Sequence, residues 1–126
     1  MITKEITICS KQVTLGYCFA ASIEYKHKTN EEMVDYANHV IESYRKEYDP
    51  DAEKTIQAIL ACIKAYYDAN DKEMPLTEKE LKSGLDPVEM VIAAYTIVSM
   101  RQEFYHVPSG EPEDKPKDGQ DAEKNA

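Results

Sequence analysis

The chain has 126 residues, of which 42% are apolar, and this is enough for one globular domain and not two. Its 24 acidic and 15 basic residues give a net charge of −9 at pH 7, which argues against sequence-independent binding to DNA or RNA because such binding needs clustered cations. No stretch approaches the ~20 apolar residues of a membrane span, and the N-terminus lacks the layout of a signal peptide. We therefore expect a cytoplasmic protein that binds neither nucleic acid nor membrane.

The N-terminal residues predict a short β-hairpin. The isoleucines between residues 2 and 8 recur with the period of two that is typical of a strand. A turn at residues 10–12 would return the chain onto a second strand at residues 13–15, although Thr14 could equally cap the helix that follows. A two-stranded hairpin is marginal alone, so we expect it to lie on the helices.

Two helices are predicted next. The first covers residues 15–28, where Gly16 either costs about 1 kcal/mol inside the helix or marks its start. Thr29 and Glu32 have the spacing of a capping box, which predicts a second helix over residues 30–48. The apolar stripe of this second helix consists of Met33, Ala37, Val40, Tyr44 and Tyr48.

The third helix carries the most regular amphipathic pattern in the chain. Asp49 followed by Pro50 is typical of a helix start, because the N–H that proline lacks would be unpaired in the first turn anyway. This signal predicts a helix over residues 50–70. Its apolar stripe consists of Ile56, Ile59, Leu60, Ile63 and Tyr67.

Two further helices are predicted in the C-terminal half. Thr77 and Glu80 form a second capping-box pattern, which opens a short helix that Gly84 should stop. Asp86-Pro87 repeats the Asp-Pro start and predicts a last helix over residues 87–106. Its first half is apolar nearly all round, so we expect it to be the central helix or to present one face as an oligomer interface.

These elements define a mainly α fold. We expect a small domain of four to five helices over residues 1–106, with the N-terminal hairpin as the only strands. Residues 107–126 contain three prolines, two glycines, six acids and three bases. Such a composition cannot bury enough apolar surface to offset its ordering entropy, so we predict a disordered acidic tail there.

The sequence shows no set of residues typical of a catalytic or metal site. It contains no G-x-S-x-G, no glycine-rich phosphate loop and no H-E-x-x-H, so we expect no enzyme activity and no cofactor. Glu24/His27 and Glu103/His106 are Glu-x-x-His pairs, which can bind two metals in a helical bundle. Both histidines fall in the last turn of their helices, where they favour the negative helix end, so we predict no metal. The three cysteines, an odd number without C-x-x-C, predict reduced thiols.

Apolar stripes on the last helix and an aromatic pair on the third suggest a protein-binding surface. Val88, Val91, Ile92 and Tyr95 form one stripe of the last helix, and Met90, Ala94 and Ile97 form another. A domain this small covers one stripe more readily than two, so we expect an uncovered one to bury a partner or a second copy. Tyr66 and Tyr67 are adjacent and cannot both face the core. The predicted binding residues are Met90, Val91, Ala94, Ile97, Met100, Tyr66 and Tyr67.

Two stretches of the chain carry a family resemblance. VTLGYCFAASIEYKHKTNEEM at residues 13–33 and MRQEFYHVPSGE at residues 100–111, together with the Asp-Pro helix starts and the acidic tail, resemble small tail assembly chaperones of long-tailed phages found as prophages of gut bacteria. Phe104-Tyr105 stands where the family would have a Trp-Tyr pair. The resemblance implies a protein that coats the tape measure protein in the host cytoplasm until the tail tube forms around it.

A second function remains open from the sequence. The net charge of −9 also suits a small acidic phage or mobile-element regulator that binds a basic partner protein. Carboxylates clustered on one face would favour the regulator. An exposed groove lined by apolar and aromatic residues would favour the chaperone.

Overall fold

A computed structural model describes residues 1–106 as a β-hairpin followed by five helices, which confirms the mainly helical fold and the hairpin. The predicted disordered tail at residues 107–126 lies outside the described residues. The elements within residues 1–106 are β1 (Ile2–Ile8), β2 (Lys11–Tyr17), α1 (Phe19–Thr29), α2 (Met33–Lys46), α3 (Ala52–Ala69), α4 (Glu78–Gly84) and α5 (Pro87–His106).

The hairpin turns tightly and its second strand is longer than predicted. Cys9 and Ser10 form a two-residue turn with φ of 52° and 65°, the left-handed geometry of a type I′ turn. β2 then continues to Tyr17, so the prediction that the first helix begins at Leu15 was wrong. The reason is that Val13, Leu15 and Tyr17 alternate inward and are at most 1% exposed, which is the period of a strand on a core.

Gly16 allows this strand to lie directly on α3. A Cβ atom at Gly16 would stand 3.0 Å from the Cβ of Tyr66 and 3.3 Å from its Cα, and 2.5 Å from the Sδ of Met1. The methionine can move, but the backbone of α3 cannot move without disturbing its packing. Gly16 is therefore a close-approach residue of a strand, neither the interior nor the start of a helix.

Of the four helix starts predicted from a capping box or an Asp-Pro pair, two are displaced. Thr29 ends α1, where its Oγ1 donates to the carbonyl of Tyr25 over 2.8 Å, and α2 begins after Glu32 without a side-chain cap. The cap of α3 is Asp51, whose Oδ1 accepts from the backbone N–H of Lys54 over 2.8 Å, two residues beyond the predicted start at Asp49. The prediction of a capping box at Thr29 and Glu32 was therefore wrong.

The remaining two starts agree with the sequence. The Oγ1 of Thr77 accepts from the N–H of Glu80 over 3.1 Å, and the Oε1 of Glu80 accepts from the N–H of Thr77 over 2.9 Å, which completes the capping box of α4. α5 begins at Pro87 directly after Asp86. The Oδ1 of Asp86 accepts from the N–H of Val88 over 2.7 Å.

Helices α3 and α5 form the centre of the domain. α3 packs against β2, α1, α4 and α5, while α5 also contacts β1, β2 and α2. Three tyrosines, Tyr17, Tyr25 and Tyr36, are at most 1% exposed and lie among the aliphatic side chains of this core. The hydroxyl of Tyr36 shares a 2.9 Å hydrogen bond with Oγ1 of Thr55, which joins α2 to α3 inside the core.

A second polar contact joins α2 to the start of α3. Nε2 of His39 accepts a hydrogen bond from the backbone N–H of Asp51 over 2.9 Å. The imidazole also lies between the rings of Tyr36 and Tyr48, with centroid distances of 6.4 and 6.3 Å. His39 therefore satisfies one of the N–H groups that precede the first turn of α3.

Candidate protein-binding surface

Most of the binding residues predicted on α5 lie in the core. Met90, Ala94, Ile97 and Met100 are between 0 and 8% exposed, and Val91 is half-buried. This stripe faces inward because α3, α2 and both strands of the hairpin pack around α5 and cover it. In this fold these four side chains are not available to a partner, which corrects their assignment to the surface.

The opposite stripe of α5 is the uncovered one. Val88, Ile92 and Tyr95 are 65, 51 and 37% exposed. Their spacing of four and three residues puts them on one side of the helix. The expectation that α5 has one covered and one uncovered apolar stripe therefore fits the fold. The exposed stripe is the one with Val88, Ile92 and Tyr95, whereas most of the predicted binding residues lie on the covered one.

An open groove runs beside this stripe, between α2 and α5. We call it the α2–α5 groove; it has a volume of about 250 Å³. Val40 and Val98, 1 and 8% exposed, are its most buried lining residues. Tyr44 and Tyr95 stand over them with ring centroids 5.8 Å apart and an interplanar angle of 85°, the favoured edge-to-face arrangement. The groove is lined by Val40, Ile41, Tyr44, Tyr95, Val98, Ser99 and Gln102, none of which carries a charge.

The outer face of α2 extends the apolar surface. On this helix Val34, Ile41 and Tyr44 are 40, 37 and 69% exposed, while Tyr48, 47% exposed, lies beyond its end at Lys46. The sequence assigned Tyr44 and Tyr48 to the buried stripe of this helix, but α2 packs on the domain only through the earlier part of that stripe. The sequence signal for this surface was that Val34 and Ile41 lie outside the predicted stripe.

A second apolar surface lies where α1 begins and α5 ends. Phe19 is 61% exposed and its ring meets that of Phe104 at 5.2 Å and that of Tyr105 at 6.4 Å, both edge to face. The guanidinium of Arg101 lies 4.8 Å from the centroid of Tyr105. Ile23, 55% exposed, follows Phe19 one turn along α1. These aromatic rings pack edge to face on one another at this end of the domain.

Tyr66 and Tyr67 are both half-buried. Their rings meet edge to face at 5.1 Å. The hydroxyl of Tyr67 accepts from the N–H of Thr14 over 3.3 Å, while the ring of Tyr66 lies 5.6 Å from the ammonium of Lys72. Both tyrosines therefore hold the hairpin and the end of α3 in place, and neither is a freely exposed contact.

Part of the acidic surface charge within residues 1–106 is paired with nearby cations. Seven carboxylates lie within 3.9 Å of a lysine or arginine nitrogen, and these pairs are distributed over β1, β2 and all five helices or their flanking residues. Pairs of this kind are worth little in stability, but each cation screens the field of its carboxylate. The paired carboxylates therefore do not form a single-sign face.

The metal-ligating and thiol side chains of residues 1–106 were the remaining candidates for a chemical site. No three His, Cys, Asp or Glu side chains of residues 1–106 are grouped to hold a metal ion. Burial raises the pKa of the Cys62 thiol, and burial together with Glu89 and Glu80 raises that of Cys9, so both thiols are protonated at neutral pH. Among the same residues, no helix has the length and apolar character needed to cross a bilayer.

Comparison of the chain with protein-family models, with curated proteins and with solved structures gave no match.

Proposed function

We propose that this chain is a non-enzymatic protein-binding module that holds a helical segment of a client protein in the α2–α5 groove. The observation that carries the proposal is the uncharged groove itself, with Tyr44 and Tyr95 exposed above a floor of valines. An amphipathic helix docking into a groove between two helices is a recurrent mode of recognition.

The groove has the composition of an energetic centre of an interface. Tyrosine is enriched at such centres because it brings a large rigid ring and a hydroxyl that tolerates water. Exposed apolar residues continue beyond the groove, on α2 through Val34 and on α5 through Ile92. A volume of about 250 Å³ accommodates one large apolar side chain of a docked helix.

We further propose that the client is a phage tape measure protein and that the chain is a tail assembly chaperone. Two observations support this choice over an acidic regulator of a basic partner. The sequence resembles that family at residues 13–33 and 100–111, and the fold has an exposed groove of apolar and aromatic side chains.

Co-expression with a neighbouring gene tests both levels of the proposal. The tagged chain is expressed with the untagged product of an adjacent tape measure gene, and soluble tape measure protein is measured with and without the chain. Tyr44→Ala should lower the recovered complex at least about tenfold, as for a central interface aromatic. Ile23→Ala, a truncation of a similarly exposed apolar residue on α1, is the matched control and should have little effect.

The results distinguish an error in the docking site from an error in the identity of the client protein. If the complex forms but both variants bind like the parent chain, the groove is not the docking site. If no complex forms with the tape measure protein, the chaperone proposal fails. A complex that dissociates between about 0.05 and 0.5 M salt would instead indicate recognition by charge, because salt screens exposed ion pairs much more than apolar contacts.

A further inference from the structure

The outer edge of β1 is formed by three alternate residues. Ile8 and Lys11 flank the two-residue turn and exchange both hydrogen bonds of the first pair of the ladder. In an antiparallel pair every second residue bonds to the opposite strand, so the intervening residues direct their N–H and C=O groups away from it. On β1 the intervening residues are Thr3, Glu5 and Thr7.

The two edges of the hairpin differ in whether another element of the domain contacts them. On β2 the N–H of Thr14, an outward-facing group, donates to the hydroxyl of Tyr67, and Gly16 lies against Tyr66. Helix α3 thus covers that edge at Thr14 and Gly16. The outward backbone groups of β1 have no hydrogen-bond partner within residues 1–106, and its three outward residues are exposed.

β1 also lacks most of the features by which proteins protect an edge strand. It contains no proline, and its register with β2 runs without a bulge from Ile2 to Ile8. Lys4 is the one cation on the strand, and its Nζ lies 3.9 Å from Oε2 of Glu103 on α5. Its charge is engaged by the domain's own helix, so the edge is a regular, seven-residue template for another strand.

The charge on this edge selects its occupant. Full-length antiparallel pairing of β1 with a second copy would set Glu5 directly opposite Glu5 of that copy, and like charges in this position are destabilising. The net charge of −9 adds repulsion between two copies. We infer that β1 pairs with an extended segment of a different protein, which carries a lysine or arginine opposite Glu5. This inference is independent of the α2–α5 groove.

Amide hydrogen exchange of the full chain, followed by NMR, tests the inference. The probe is the peptide acetyl-Thr-Val-Thr-Lys-Thr-Val-Thr-amide, and the control peptide has Glu in place of Lys. In the free protein, the amides of Thr3, Glu5 and Thr7 should exchange faster than those of Lys4 and Ile6, which bond to β2. The lysine peptide should slow the exchange of the first three and bind ~3- to 10-fold tighter than the glutamate peptide.

Three variants of β1 link the effect to the edge. Thr3→Pro removes one outward N–H without removing a bond to β2, and should weaken peptide binding about fivefold. Thr3→Val keeps that N–H and should bind like the parent chain. Glu5→Lys should reverse the preference between the two peptides, and this variant retains the test if Thr3→Pro does not fold.

Several results would overturn the inference. Equal binding of the two peptides to the parent chain, or an unchanged preference in Glu5→Lys, would show that charge does not select the occupant. Slow exchange at Thr3, Glu5 and Thr7 in the free, dilute protein would show that the chain covers its own edge. Protection that rises with protein concentration and without peptide would assign the edge to a second copy.

Discussion

The burial of one stripe of α5 and the exposure of the other can be tested with two isoleucines of the same helix. Ile97 is 1% exposed and Ile92 is 51% exposed, and both lie well inside the helix. Replacing either with alanine removes the same three carbon atoms and changes helix propensity by the same small amount. Any difference between the two variants therefore reports tertiary packing.

The expected difference is large. Three buried carbons at about 0.8 kcal/mol each, with an added term for the cavity, give a loss of about 3–4 kcal/mol for Ile97→Ala. Ile92 has about half of its surface in water already, and alanine is the better helix former, so Ile92→Ala should change the unfolding free energy by less than about 1 kcal/mol. For a domain of this size, 1 kcal/mol corresponds to about 4 °C in Tm.

Urea unfolding and calorimetry of the parent chain and both variants measure these quantities. We expect Ile97→Ala to lower Tm by about 12–16 °C and Ile92→Ala to lower it by less than about 4 °C, with equal urea m-values. Equal losses, or a larger loss for Ile92→Ala, would refute the orientation of α5. The α2–α5 groove would then also be misplaced, because the same rotation of the helix exposes Tyr95.

Three further predictions concern the remaining close contacts of the fold. Gly16→Ala should destabilise the domain by about 1–3 kcal/mol in urea unfolding, because the new Cβ meets the backbone of α3 at Tyr66; an unchanged midpoint would mean that β2 lies further from the helix. His39→Ala should cost about 1 kcal/mol, since it removes the acceptor of the Asp51 N–H, and a neutral result would show that water replaces the imidazole there. Burial raises the pKa of three tyrosines, so the neutral form stabilises the fold fully below about pH 10 and this stabilisation is lost as the pH rises further. In an alkaline titration the hydroxyls of Tyr17, Tyr25 and Tyr36 should ionise only together with the loss of helical circular dichroism. Tyrosinate formation in the intact fold would contradict their burial.

Signals that act within one helical turn were predicted well from the sequence. The capping box of Thr77 and Glu80 and the Asp86-Pro87 start both position their helices to the residue. Each of these signals satisfies N–H groups of its own first turn, so no distant contact is needed to decide it. Thr29 has the same spacing to Glu32, but its hydroxyl is engaged by the end of α1, and a competing local bond of this kind leaves no mark in the sequence.

The placement of surfaces depended on contacts between residues far apart in the chain. From the sequence Gly16 was placed inside or at the start of a helix, whereas its role depends on the packing of β2 against α3. No residue near His39 in the chain indicates that its imidazole contacts Asp51. The sequence by itself determined that the chain is mainly helical, where most helices lie, and that α5 has more apolar surface than one face can bury. Only the tertiary structure decided which stripe of α5 is covered, because burial is set by the packing of α2, α3 and the hairpin around that helix, and amphipathic period alone does not distinguish two apolar faces.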